Sequence, residues 1–103
     1  APSGTALKFG SVISENLDKK LLENAVYGRK GPDSAREENS VGFQTIRAGD
    51  TIGDHTVYFA GEGERIEITH RATSRTSFVT GAVKAAKWLI GRDNGLYSFD
   101  DIL

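Results

Sequence analysis

Apolar positions recur at helical spacing near the start of the chain. Ala6, Gly10, Ile13 and Leu17 share one face and Leu7 and Phe9 widen it, which predicts a helix over 6–17. Ser3 or Thr5 can supply its N-cap oxygen. A short strand-like run, AVYGR, follows at 25–29. Lys30 to Ser40, KGPDSAREENS, is polar and contains Gly-Pro-Asp, so it reads as a loop and as the stretch most inclined to move. Val41 to Ala48 is rich in β-branched and aromatic residues and predicts a strand, closed by the turn signals Gly49-Asp50 and Gly53. HTVYFA (55–60) and RIEITHRA (65–72) are strands flanking the glycine-containing loop GEGE, which fits a long hairpin connection. Arg65, Glu67, Thr69 and Arg71 alternate with Ile66, Ile68, His70 and Ala72, giving one polar and one apolar face. A second helix starts after Ser74, with Phe78, Ala82, Ala85, Ala86, Leu89 and Ile90 as its apolar stripe up to Gly91. The sequence thus predicts an α+β fold: a mixed, mostly antiparallel sheet with two main helices on one face.

Length and composition bound this picture. The chain has 103 residues, the size of a single domain, with 38% apolar and 26% charged residues. That length suffices for one hydrophobic core without disulfides or metal. The net charge of −1 gives no basic surface for nucleic acid. There is no cysteine, which removes disulfides, thiolate metal sites and cysteine nucleophiles and fits a reducing cytoplasm. No apolar run is long enough to span a membrane, and no secretory signal pattern opens the chain.

Candidate chemistry is concentrated at the first helix. Helix N-termini carry unpaired N–H groups and a partial positive charge. Gly4 leaves the backbone open and Ser3 and Thr5 add hydroxyls, the composition of a carboxylate or phosphate cradle, although a plain N-cap is the commoner use of such residues. Neither a phosphate-binding P-loop nor a dinucleotide-binding glycine turn is present. His55 and His70 lack a third ligand at metal-site spacing, and structural roles are the commoner reading for both. The stripe of Arg65, Glu67 and Arg71 reads as a solvated or cross-strand-paired face, or as a polar interface with a second copy. Arg47, Asp50 and Asp54 group near the turns and read as turn-stabilising. Arg75 is a cap partner or a ligand contact, and Trp88 belongs to a core or interface.

APSGTA (1–6), RAGDTIGDH (47–55), ERIEITHRATSR (64–75) and GAVKAAKWL (81–89) together resemble dihydrodipicolinate reductase, also called 4-hydroxy-tetrahydrodipicolinate reductase. The likeness runs through the whole chain in order. It implies a pyridine-nucleotide-dependent, homotetrameric enzyme of lysine and diaminopimelate biosynthesis. Hydride passes from NADPH or NADH to a cyclic dicarboxylate imine, in the cytoplasm. It implies that 1–103 is the single substrate-binding and tetramerisation domain, whose sheet meets its copies at the tetramer centre. Gly4 and Thr5, with Ser3 beside them, would hold a substrate carboxylate. The family's acid histidine and lysine precede the motif in which this chain starts. On this reading they, the N-terminal Rossmann domain and the domain's first strand lie outside the chain. No catalytic residue is then expected in it, nor any metal, nor a cofactor on the fragment alone, which would be inactive. Arg75 and Phe78 are candidates for approaching the nucleotide. The alternative is a non-catalytic, sheet-mediated oligomerisation module with an incidental anion site.

Overall fold

The computed structural model describes residues 1–17 and 20–103. Helix α1 runs Gly4–Asn16. Ser3 caps it: its backbone is extended and its Oγ accepts from the Ala6 N–H at 3.2 Å. The small residues Gly10 and Ser14, one turn apart, are buried, so α1 lies close against its neighbours along that line. Ala6 and Ile13 are half-buried beside them, whereas Leu17 is exposed. A one-turn helix α2, Leu21–Asn24, leads into strand β1, Ala25–Tyr27.

Strand β2, Val41–Phe43, pairs with β1 in parallel, Ala25 opposite Val41 and Tyr27 opposite Phe43. The Tyr27 and Phe43 rings stack with centroids 5.2 Å apart. Parallel pairing needs a connection of about a dozen residues or more, and the polar segment from Gly28 to Ser40 supplies it. That segment bonds to itself: Ser34 Oγ donates to the Gly31 carbonyl at 3.0 Å, and Ser40 Oγ to the Glu37 carbonyl at 2.8 Å.

Strands β3, Gly53–Ala60, and β4, Arg65–Ala72, form an antiparallel hairpin. Gly61 N–H bonds to the Glu64 carbonyl at 2.9 Å, and Gly63 takes the positive φ of 75° that closes the loop. Directly opposed residues share a face, so one face carries His55, Val57 and Phe59 with Ile66, Ile68 and His70. The other pairs internally: Arg71 with Asp54 at 3.0 Å, Thr56 with Thr69 at 3.0 Å, and Arg65 with Glu67. The polar stripe is therefore paired across the strands at Arg71 and along β4 at Arg65 and Glu67, and Asp54 answers Arg71 rather than joining Arg47 in the turn.

Helix α3 runs Thr76–Leu89. Ser74 Oγ accepts from Thr76 N–H at 3.1 Å, so the hydroxyl serves the helix start from just before the boundary at Arg75. A 3-10 turn, Phe99–Asp101, follows. There Asp101 accepts from the Ser98 N–H at 2.6 Å and from its hydroxyl at 3.0 Å, bonds that hold the carboxyl below its ordinary pKa.

The α+β class and the two main helices agree with the sequence. The sheet differs: the strands divide into two two-stranded sheets, one parallel and one antiparallel. The predicted strand 41–48 stops at Phe43, and Ile46 beyond it is 86% exposed. A β-branched run pairs only where a partner edge is offered, and among the described residues none meets Gln44 to Ala48. Nor do both helices cover one sheet face. α1 lies between β2 and β3, but α3 buries none of its residues.

The expected single core is correspondingly small. Among the described residues only Phe43 and Ala72 are buried apolar side chains. The radius of gyration is 17.5 Å, against about 13 Å for a compact domain of this length. The chain exposes 8870 Å², where a compact monomer of 11.1 kDa exposes about 5,700 Å². Ile66, Ile68, Phe78, Val79 and Ile90 all stand more than half exposed. Among the described residues, no helix is long and apolar enough to cross a membrane.

Candidate functional site

The start of α1 opens onto a groove of about 1310 Å³, whose walls include Ser3, Thr5, Phe9, Phe43, His55 and Phe78. The chain folds this way locally because Ser3 is extended and Gly4 begins the helix, which turns the first N–H groups outward along the axis. The Ala6 N–H is taken by Ser3 Oγ and the Leu7 N–H by the Ser3 carbonyl at 3.0 Å. The Gly4 and Thr5 N–H groups have no partner among the described residues. A Cβ placed on Gly4 would meet nothing within 4 Å. Two adjacent free amides, an open approach and the Thr5 hydroxyl beside them are what a carboxylate needs at a helix N-terminus.

His55 forms the groove wall next to this helix start. Its Nε2 lies 3.0 Å from Ser3 Oγ, across 52 positions of sequence. Phe9 meets the ring edge-on, centroids 6.3 Å apart. Its Nδ1 is shut off from solvent and has no partner among the described residues. The sequence points to a structural role for His55 and carries no sign of its link to Ser3. No spacing rule signals it, because it depends on how the hairpin docks on α1.

The remaining candidates separate. His70 stands opposite His55 in register, on the face expected, but it is exposed. Phe78 reaches the groove with 55% of its surface exposed, whereas Arg75 is exposed and is not among the groove residues. Trp88 lies apart from the groove: Arg92 stacks over it at 3.6 Å and Tyr97 meets its edge at 5.4 Å. Among the described residues no three His, Asp or Glu side chains gather as a metal site.

The fold and groove define the class: an α+β domain that presents a capped helix N-terminus to a large open cleft. All of residues 1–103 match the family described as "Dihydrodipicolinate reductase, C-terminus". Two curated relatives, each named 4-hydroxy-tetrahydrodipicolinate reductase and coming from Pseudomonas fluorescens strains Pf-5 and Pf0-1, are 58% identical over the full 103 residues. The chain spans 38% of the length of each. It belongs to the dihydrodipicolinate reductase family, as that family's C-terminal domain.

Proposed function

We propose that this chain is the substrate-binding and oligomerisation domain of an NADPH- or NADH-dependent reductase. The enzyme would deliver hydride to 4-hydroxy-tetrahydrodipicolinate in cytoplasmic lysine and diaminopimelate biosynthesis. The observation that carries this is the pair of unpartnered amides at Gly4 and Thr5 facing an open groove. They would take one substrate carboxylate, with the Thr5 hydroxyl as a further donor. An amide cradle binds an anion without burying a lysine and its desolvation cost.

Nothing among the described residues forms a Rossmann-type cradle for the pyrophosphate of a nicotinamide nucleotide. The parallel strands are joined by an irregular segment, not by a helix whose N-terminus could take a pyrophosphate. On this reading the nucleotide and the proton-transferring groups come from outside residues 1–103. The chain by itself is then inactive, and Phe78 is the candidate here for meeting the nucleotide.

In the intact reductase, Thr5→Val is expected to raise the substrate KM about tenfold, the cost of one charge-assisted hydrogen bond. Steady-state kinetics check this, and an unchanged KM would remove Thr5 from the site.

The exposed surface supports assembly. It exceeds that of a compact monomer by about 3,000 Å², whereas a standard interface takes about 800 Å² from each partner. The β3–β4 hairpin offers its polar face, already paired within itself, to a second copy. Light scattering on the intact protein is expected to give a homotetramer, and a monomer would exclude sheet-mediated assembly. The same excess surface favours the second reading, an oligomerisation module with an incidental anion site. A tetramer that fails to bind pyridine-2,6-dicarboxylate would favour that module over the reductase domain.

A further inference from the structure

The Ser3–His55 contact has a polarity, and the surroundings of the ring decide it. Ser3 Oγ has one proton to give and two lone pairs. One lone pair takes the Ala6 N–H at 3.2 Å. The His55 Nε2, at 3.0 Å, is then either an acceptor of the serine proton or a donor to the second lone pair. If it accepts, a neutral ring must carry its proton on Nδ1. That atom is closed to solvent and has no partner among the described residues, so a buried N–H would be left unpaired, an arrangement rarely found in folded proteins. If Nε2 donates, Nδ1 holds only a bare lone pair, which is the lesser penalty. The Phe9 edge holds the ring in place for this bond.

We propose that His55 is a positioning residue that donates from Nε2 to Ser3 Oγ, fixing Ser3 as a double acceptor and keeping its hydroxyl proton for the bound carboxylate. With both lone pairs filled by protein donors, that proton has no partner within the described residues. Ser3 would thereby become a fourth donor, beside the Gly4 and Thr5 amides and the Thr5 hydroxyl. His55 acts through Ser3 and not on the ligand, because its free ring nitrogen is sealed off. This inference rests on the reading of the α1 start as a carboxylate site.

Two measurements on the intact protein test it. Imidazole 15N spectra are expected to show His55 protonated at Nε2 and bare at Nδ1 at neutral pH; the reverse tautomer would overturn the proposal. The second is titration with pyridine-2,6-dicarboxylate across a double-mutant cycle. His55→Leu is expected to weaken binding about fivefold in the wild-type background and to add nothing in Ser3→Ala. His55→Gln, whose amide can donate in place of Nε2, should recover most of the loss. Equal effects of His55→Leu in both backgrounds would show a merely structural ring. Failure of the carboxylate site itself reads differently, as a Thr5→Val protein that binds the dicarboxylate unchanged, and the tautomer still decides His55 in that case.

Discussion

Gly4→Ala is expected to leave folding intact and to weaken dicarboxylate binding by about tenfold or more. The two halves of that expectation have separate causes. Gly4 is the first residue of α1, does not use a positive φ, and a Cβ built on it finds open space. Alanine is the better helix former, so the melting temperature should hold or rise slightly. The added methyl, however, would stand beside the two free amides, where a carboxylate must approach to about 2.9 Å. Losing one or two charge-assisted hydrogen bonds corresponds to about tenfold or more in affinity. Thermal melts and a pyridine-2,6-dicarboxylate titration of the intact protein read both halves. Unchanged affinity would reduce the glycine to a helix start. A large fall in melting temperature would show that the fold itself needs it.

Much of the fold was legible because it is local. The α1 and α3 stripes, the hairpin around Gly61 to Glu64 and the alternation along β4 are periodic patterns that neighbouring residues enforce. What failed was non-local. Val41 to Ala48 has strand composition, but only its first three residues find a partner, and that partner is β1 across the long polar segment. The faces bearing Ile66, Ile68 and Phe78 are apolar, as the alternation and the helical stripe predict, yet these residues stay more than half exposed. Periodicity says that a face wants burial and not what buries it, and here the described residues do not. The candidate site divides in the same way. Ser3, Gly4 and Thr5 sit together in sequence, where their composition admits an anion cradle although a plain N-cap is its commoner use. His55 joins them only through the docking of β3 against α1, which no local rule contains.

The smallness of the internal core makes one side chain disproportionately important. Phe43→Ala is expected to destabilise the domain by about 3 kcal/mol or more, the usual cost of emptying a buried phenylalanine site. For a domain of this size that is a melting-temperature loss of about 10 °C or more. Phe43 is 8% exposed, ends β2, stacks on Tyr27 of β1, and lies on the strand against which α1 packs. Its removal would leave a cavity where these three elements meet. Among the described residues Ala72 is the other buried apolar side chain, and it contributes too little volume to absorb the loss. Phe43→Leu keeps most of the volume and gives up the ring stacking, so its cost should be about half as large. Denaturant titration of the two variants separates volume from stacking. Phe43 also lines the groove, and α1 rests against β2, so the alanine variant should loosen the helix that presents Gly4 and Thr5. Dicarboxylate affinity is therefore expected to fall with stability in Phe43→Ala, whereas in Gly4→Ala the two come apart. Phe43→Ala binding at wild-type strength would mean that α1 keeps its place without β2.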